Sequence, residues 1–133
     1  MSASLRNVGA ITLFVDDLPR SRSFYQDVFG LRVVFEDDVS AVFDFGNTLI
    51  NLLAIPAARE LMDPVAVASR DAGSRVLLTI WVDDADAVCA DLDRSGVVLL
   101  SGPIDREWGK RTASFSDPDG NIWEIAQDLP RPT

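Results

Sequence analysis

With 133 residues, 47% of them hydrophobic and 25% charged, the chain has the length and proportions of one folded globular domain and is too short for two unrelated ones. Its 21 acidic and 12 basic side chains give a net charge of −9, which repels nucleic-acid phosphates and anionic lipid. The count of zero histidines removes imidazole metal ligands, proton shuttles near neutrality and nucleophile–histidine pairs, so serine-protease and zinc-hydrolase chemistry fall away.

The single cysteine, Cys89, cannot form an internal disulfide, and Met1 to Arg6 lack the apolar stretch of a secretory signal. No apolar run approaches the roughly 20 residues needed to cross a bilayer. The expectation is a cytoplasmic protein with no nucleic-acid or membrane partner.

The chain repeats itself. Thr12-Leu13-Phe14-Val15-Asp16-Asp17 is echoed by Thr79-Ile80-Trp81-Val82-Asp83-Asp84, an offset of 67 residues. Each Asp-Asp precedes a helical stretch, a closing glycine (Gly30, Gly96) and a β-branched run (Leu31 to Val34, Val97 to Leu100).

In chain order, Ile11 to Val15 reads as a strand. Asp17 then caps a helix that tolerates Pro19 in its first turn, buries Phe24, Tyr25 and Val28, and stops at Gly30. Leu31 to Glu36, Ala41 to Phe45 and Thr48 to Ile55 follow as extended runs, separated by Asp37-Asp38 and Gly46-Asn47. Pro56 to Ser74, with two prolines and Ala-rich helical character, reads as a connector. The second unit offers a strand over Val76 to Val82, a helix from about Ala85 to Ser95, and strands at Val97 to Leu100, Arg111 to Ser116 and Ile122 to Gln127. Both units are βαβββ. The tail from Leu129 to Thr133 is expected to fray.

Phe14-Val15-Asp16-Asp17-Leu18-Pro19-Arg20-Ser21-Arg22-Ser23-Phe24-Tyr25-Gln26-Asp27-Val28-Phe29-Gly30-Leu31 and the closing Asp117-Pro118-Asp119-Gly120-Asn121-Ile122-Trp123-Glu124-Ile125 resemble the vicinal oxygen chelate superfamily, the glyoxalase, bleomycin resistance and extradiol dioxygenase group. The resemblance runs from Val8 to Asp128. It implies an α+β fold in which tandem βαβββ modules form an incomplete barrel within a single domain over residues 1–133. Module one is placed at about 8–55, the connector at about 56–74 and module two at about 75–128. Homodimerisation is a further implication.

Metal-dependent members carry four ligands, usually His, Gln or Glu, on the first and last strands of each module. Carried over, these positions fall on Ala10, Asn51, Leu77 and Glu124. Asn51 depends on strand register, with Ile50 as its neighbouring candidate. A methyl and an isobutyl group donate no lone pair, so no metal site and no cofactor is expected.

Period-two alternation places Ala10, Thr12 and Phe14 on one face of the first strand and Leu77, Thr79 and Trp81 on the matching face of the fifth. Ile11, Leu13, Val15, Leu78, Ile80 and Val82 form the opposite, core-packing faces. Two threonines, two aromatics, Asn51 and Glu124 on the first face suit a small-molecule cavity. Glu124 can serve as general base, as anchor for a cationic or hydroxylated ligand, or as partner of a nearby arginine. Trp81 and Phe14 either flank a planar ligand or belong to the core, whereas Trp123 has the opposite orientation and belongs to the core or a subunit interface. Arg106 to Arg111, containing Trp108, reads either as a pocket rim or as a solvated loop. Cys89 reads as a buried core thiol, and the Asp-Asp pairs as helix caps.

The expected ligand-binding set is therefore Thr12, Phe14, Asn51, Leu77, Thr79, Trp81, Trp108, Arg111 and Glu124, with Glu124 also the catalytic candidate. The leading expectation is a metal-free binder of small molecules, of the drug-sequestering kind, with cationic or neutral ligands favoured by the acidic field. The alternatives are an enzyme of the same superfamily (lyase, isomerase or dioxygenase) using Glu124 with an oxygen-ligated metal or as a general base, and an inert partner-binding scaffold.

Overall fold

The computed structural model describes residues 5–130. The readings of Met1 to Ser4 as leaderless and of Arg131 to Thr133 as frayed lie outside the described residues. The fold is α+β: two compact units, divided between Ser69 and Arg70, each contain one four-stranded sheet.

The first unit runs β1 (Ala10–Val15), α1 (Leu18–Phe29), β2 (Val33–Glu36), β3 (Ser40–Asp44) and β4 (Leu49–Ala54), followed by a 3-10 turn (Ile55–Ala58) and a short helix, α2 (Arg59–Met62). The Asp17 side chain accepts from the Arg20 backbone N–H at 3.1 Å, satisfying one orphan donor of α1. Gly30 ends the helix in the left-handed conformation, φ 68°, where a Cβ would be strained. The strand order is β1-β4-β3-β2, with β1 parallel to β4. Leu13, Val15, Phe43, Ile50 and Leu52 are buried on the α1 side, where the Tyr25 ring lies 5.8 Å from that of Phe43. Each large apolar side chain removed from water there contributes about 1.5–3 kcal/mol.

The second unit repeats the plan after a 3-10 turn (Arg70–Ala72): β5 (Leu77–Trp81), α3 (Ala85–Arg94), β6 (Ser101–Asp105), β7 (Lys110–Ser116) and β8 (Ile122–Asp128), in the order β5-β8-β7-β6. Asp84 caps α3 by accepting from the Ala87 N–H at 3.1 Å. Ala113, Phe115, Trp123 and Ile125 are buried on the α3 side, together with Ala85, Cys89 and Leu92 of that helix. Burial pushes the Cys89 thiol pKa up, and nearby Asp86 adds to the rise, so this cysteine is a packed group rather than an activated nucleophile. Ile11, Leu78, Ile80 and Val82, expected in the core, are only half-buried; β1 and β5 are edge strands of their sheets.

One element differs from the sequence expectation. Val97 to Leu100 is not a strand. The Val97 N–H bonds back to Leu92 O at 2.9 Å, closing the helix, and Leu100 N–H reaches Ser114 O at 2.8 Å only as the chain enters the sheet. The strand lies later, at Ser101–Asp105, despite Gly102 and Pro103. An edge position tolerates both residues, and the pairing with β7 shifts register between Ser101 and Ile104.

Gly102 is required at that shift. Its φ is +87°, and a Cβ would stand 2.3 Å from Thr112 O. Gly102→Ala is expected to destabilise the fold by about 1–3 kcal/mol from backbone strain alone, with the clash adding to it. Gly9, whose neighbourhood is open, should change by less than about 0.5 kcal/mol on the same substitution. Urea unfolding of the two variants measures the contrast, and equal stabilities would refute the tight β6–β7 approach.

Candidate functional site

Strand pairing decides which side chains share a face, because directly opposed residues project to the same side of a sheet. In the first unit, β1 and β4 pair Ala10 with Leu49, Thr12 with Asn51 and Phe14 with Leu53. This resolves the register: Asn51 shares the face of Thr12 opposite α1, and Ile50 is buried beneath the helix. The Asn51 Nδ2 donates to Thr12 Oγ1 at 3.4 Å, while the buried Oδ1 accepts no hydrogen bond among the described residues. A buried amide oxygen without a donor costs on the order of 1–3 kcal/mol.

In the second unit, β5 and β8 pair Thr79 with Glu124 and Trp81 with Ala126, while Glu124 opposes Ser114 on β7 and Ser114 opposes Ser101 on β6. A polar row thus crosses the sheet opposite α3. The Thr79 hydroxyl donates to Glu124 Oε1 at 2.9 Å. No cation pairs with half-buried Glu124 among the described residues. The two modules build the same device: a first-strand threonine bonded to a last-strand polar side chain, an amide in one and a carboxylate in the other.

Aromatic groups flank the row. Trp81 is 72% exposed on this face, and Lys110 Nζ lies 5.1 Å from its ring centroid while also pairing with Asp128. Trp123, one residue before Glu124 and of opposite parity, is 3% exposed and belongs to the α3-side core. Trp108, at the β6–β7 turn, is exposed, with the Arg106 guanidinium carbon 5.9 Å from its ring centroid. The aliphatic positions remain as the sequence places them: Leu77 is exposed at the start of β5, and Ala10 at the start of β1.

Arg111, expected to bind ligand, does not face this side. It alternates with Lys110 and Thr112 and points toward α3, where its Nε donates to Asp86 Oδ1 and its Nη1 to Asp105 Oδ1, both at 2.9 Å. The hydrogen bond with Asp105, then that with Asp86, hold its pKa above the usual guanidinium value. It fastens the start of α3 to the edge strand. The arginine on the opposite face is Arg106, whose Nε donates to Thr112 Oγ1 at 3.0 Å and whose Nη2 donates to Ser101 Oγ at 3.4 Å. Sequence reasoning placed Arg106 in the candidate rim segment without singling it out and did not name Ser101, Thr112 or Ser114; the even spacing of 112 and 114 from Lys110 is the signal that could have found the β7 pair.

The donor set does not fit the metal that the superfamily resemblance implies. Module one offers an aliphatic carbon and one amide at the ligand positions, module two an aliphatic carbon and one carboxylate already bonded to Thr79. Among the described residues no group of three or more His, Cys, Asp or Glu side chains can hold an ion. Three protein ligands are the usual minimum for a catalytic zinc, and iron oxygenase sites need imidazoles.

Tandem βαβββ units with this closing motif define a class of protein, and the comparisons agree. Residues 7–125 match the family model of the Glyoxalase/Bleomycin resistance protein/Dioxygenase superfamily, and the chain belongs to that family. It is 38% identical over 123 residues to the uncharacterized protein YraH of Bacillus subtilis (strain 168), covering 90% of this chain and 96% of that one. It is 26% identical over 122 residues to the metallothiol transferase FosB of Lysinibacillus sphaericus (strain C3-41), covering 92% of this chain and 82% of that one. Among solved structures, a glyoxalase/bleomycin resistance protein/dioxygenase from Nocardioides superposes with a TM-score of 0.87 at 23% identity, covering 99% of this chain and 89% of its own. A glyoxalase-related enzyme from Fulvimarina pelagi gives 0.81 at 28% identity, covering 93% and 89%.

The opposite placement of the two arginines is testable. Arg111→Gln is expected to lower the melting temperature by less than Gly102→Ala does, because its ion pairs are partly solvated, and the loss should shrink in high salt. Thermal melts at two ionic strengths measure this, and a salt-independent loss would contradict the ion-pair role.

Proposed function

We propose that this chain is a metal-independent binding protein for small molecules, acting by sequestration. In this reading its two modules form one domain, and two chains form a homodimer in the cytoplasm. The observation that carries the reading is half-buried Glu124, whose carboxylate accepts from the neutral Thr79 hydroxyl and whose sheet face also presents Ser114 and Trp81. A carboxylate in that position gains a charge-assisted hydrogen bond when a ligand brings an amine or hydroxyl to it. Aromatic and aliphatic neighbours supply the apolar walls that small-molecule sites use. No helix among the described residues is long and apolar enough to cross a membrane.

A second reading has its own support. FosB is a transferase by name, and a carboxylate without a cation partner can accept a proton, so Glu124 is the residue on which a cofactor-free proton transfer would depend.

Protein purified without chelators is expected to contain transition metal well below one ion per chain, and ligands selected from a compound panel should bind equally with and without EDTA. Glu124→Gln should weaken amine- or hydroxyl-bearing ligands about tenfold or more, with recovered ligand chemically unchanged. Elemental analysis, calorimetry and mass spectrometry of the ligand make these measurements. A stoichiometric, tightly held transition ion would overturn metal independence, and altered ligand after incubation with catalytic amounts of protein would replace sequestration by the enzyme reading.

A further inference from the structure

Three arginines are half-buried among the described residues: Arg22, Arg106 and Arg111. Arg22 pairs with Glu36 at 2.7 Å, and Arg111 pairs with Asp86 and Asp105, each at 2.9 Å. Arg106 is held instead by two neutral hydroxyls, Thr112 at 3.0 Å and Ser101 at 3.4 Å, with no carboxylate partner among the described residues. In a chain with 21 acidic side chains against 12 basic ones, such a guanidinium is conspicuous.

The geometry points to Arg106 as the anchor for an anionic group of the bound small molecule, a carboxylate or a phosphonate. This deepens the binding reading above and rests on it. Thr112, 2% exposed, fixes the Nε side of the guanidinium, and Ser101 fixes one Nη2 hydrogen. Three of the five N–H donors remain to engage an anion, in the fork arrangement that arginine offers to carboxylate and phosphate oxygens. The Trp108 ring lies beside the guanidinium, its centroid 5.9 Å from the guanidinium carbon, and offers an apolar neighbour to a ligand seated there.

The placement also selects the shape of the ligand. Glu124 opposes Ser114, and Ser114 opposes Ser101, which the Arg106 head group touches. Two strand spacings separate the carboxylate position from the guanidinium seat, roughly 10 Å. The ligand class is therefore a small molecule with an anion at one end and a hydroxyl or amine at the other, long enough to cross β7 past Ser114. The acidic whole-molecule field argues for cationic or neutral ligands, but charges beyond about 8 Å are screened at physiological salt, and the local guanidinium decides.

The test uses 4-hydroxycinnamate, its uncharged amide, and 4-hydroxybenzylphosphonate, titrated into the full chain by calorimetry, with amide NMR shifts of residues 101–114 reporting the location. The acid is expected to bind at least about tenfold more tightly than the amide, with the advantage falling as salt rises. Arg106→Gln should abolish that advantage, lowering affinity for the acid far more than for the amide. Arg106→Lys should retain only part of it. A phosphonate tighter than the carboxylate identifies a tetrahedral anion as the preferred group, and the reverse order a planar one; either supports the anchor. Equal affinity for acid and amide, or a preference that persists in Arg106→Gln, overturns it while leaving the small-molecule reading in place. Failure of all three compounds to bind overturns both. If Arg106→Gln does not fold, the acid-to-amide ratio of the unsubstituted protein and its salt dependence still decide.

Discussion

In each unit the first strand docks in parallel on the last, and nearly everything of chemical interest depends on the register of that contact. The side-chain period of a strand is two, so a slip of one residue would bury Asn51 and Glu124 beneath the helices and expose Ile50 and Ile125. The slip is prevented from the helix side, where Leu13, Val15, Ile50 and Leu52 in one unit and Phe115, Trp123 and Ile125 in the other are almost fully removed from water. Burial on one face thus determines which polar groups the other face presents. The polar chemistry of the open face is a by-product of core packing.

The same alternation sorts the charges. On the α3 side Arg111 is consumed by Asp86 and Asp105, and its work is mechanical. On the opposite side Lys110 is drawn to Asp128 and the Trp81 ring, whereas Arg106 and Glu124 are held by hydroxyls, which orient a charged group without neutralising it. A net charge of −9 describes solubility and long-range field, but a ligand on the sheet meets an individual carboxylate and an individual guanidinium first.

Much of this was legible in the chain itself. The repeat, the caps at Asp17 and Asp84, the end of α1 at Gly30 and the opposite parities of Trp81 and Trp123 follow from local rules that tertiary context did not override. Two things were not legible, for related reasons. The strand at Ser101–Asp105 contains Gly102 and Pro103, which disqualify a central strand and are harmless on an edge, and edge status is a property of the whole sheet. The face of Arg106 is hidden for the same reason: parity can be counted within β7, as for Arg111, but not through a register shift and a turn whose geometry is unknown until the strands pair.

The two modules are alike in plan and unlike in charge, and that difference carries a chemical consequence. Thr12 with Asn51 and Thr79 with Glu124 occupy the same register positions, yet the first pair leaves a neutral oxygen seeking a donor and the second presents an anion. With aliphatic carbon at Ala10 and one amide in module one, and aliphatic carbon at Leu77 and one carboxylate in module two, neither module by itself supplies the three protein ligands of a typical catalytic zinc. The hydrogen-bonding capacity that each module retains is of the kind that N–H and O–H groups satisfy.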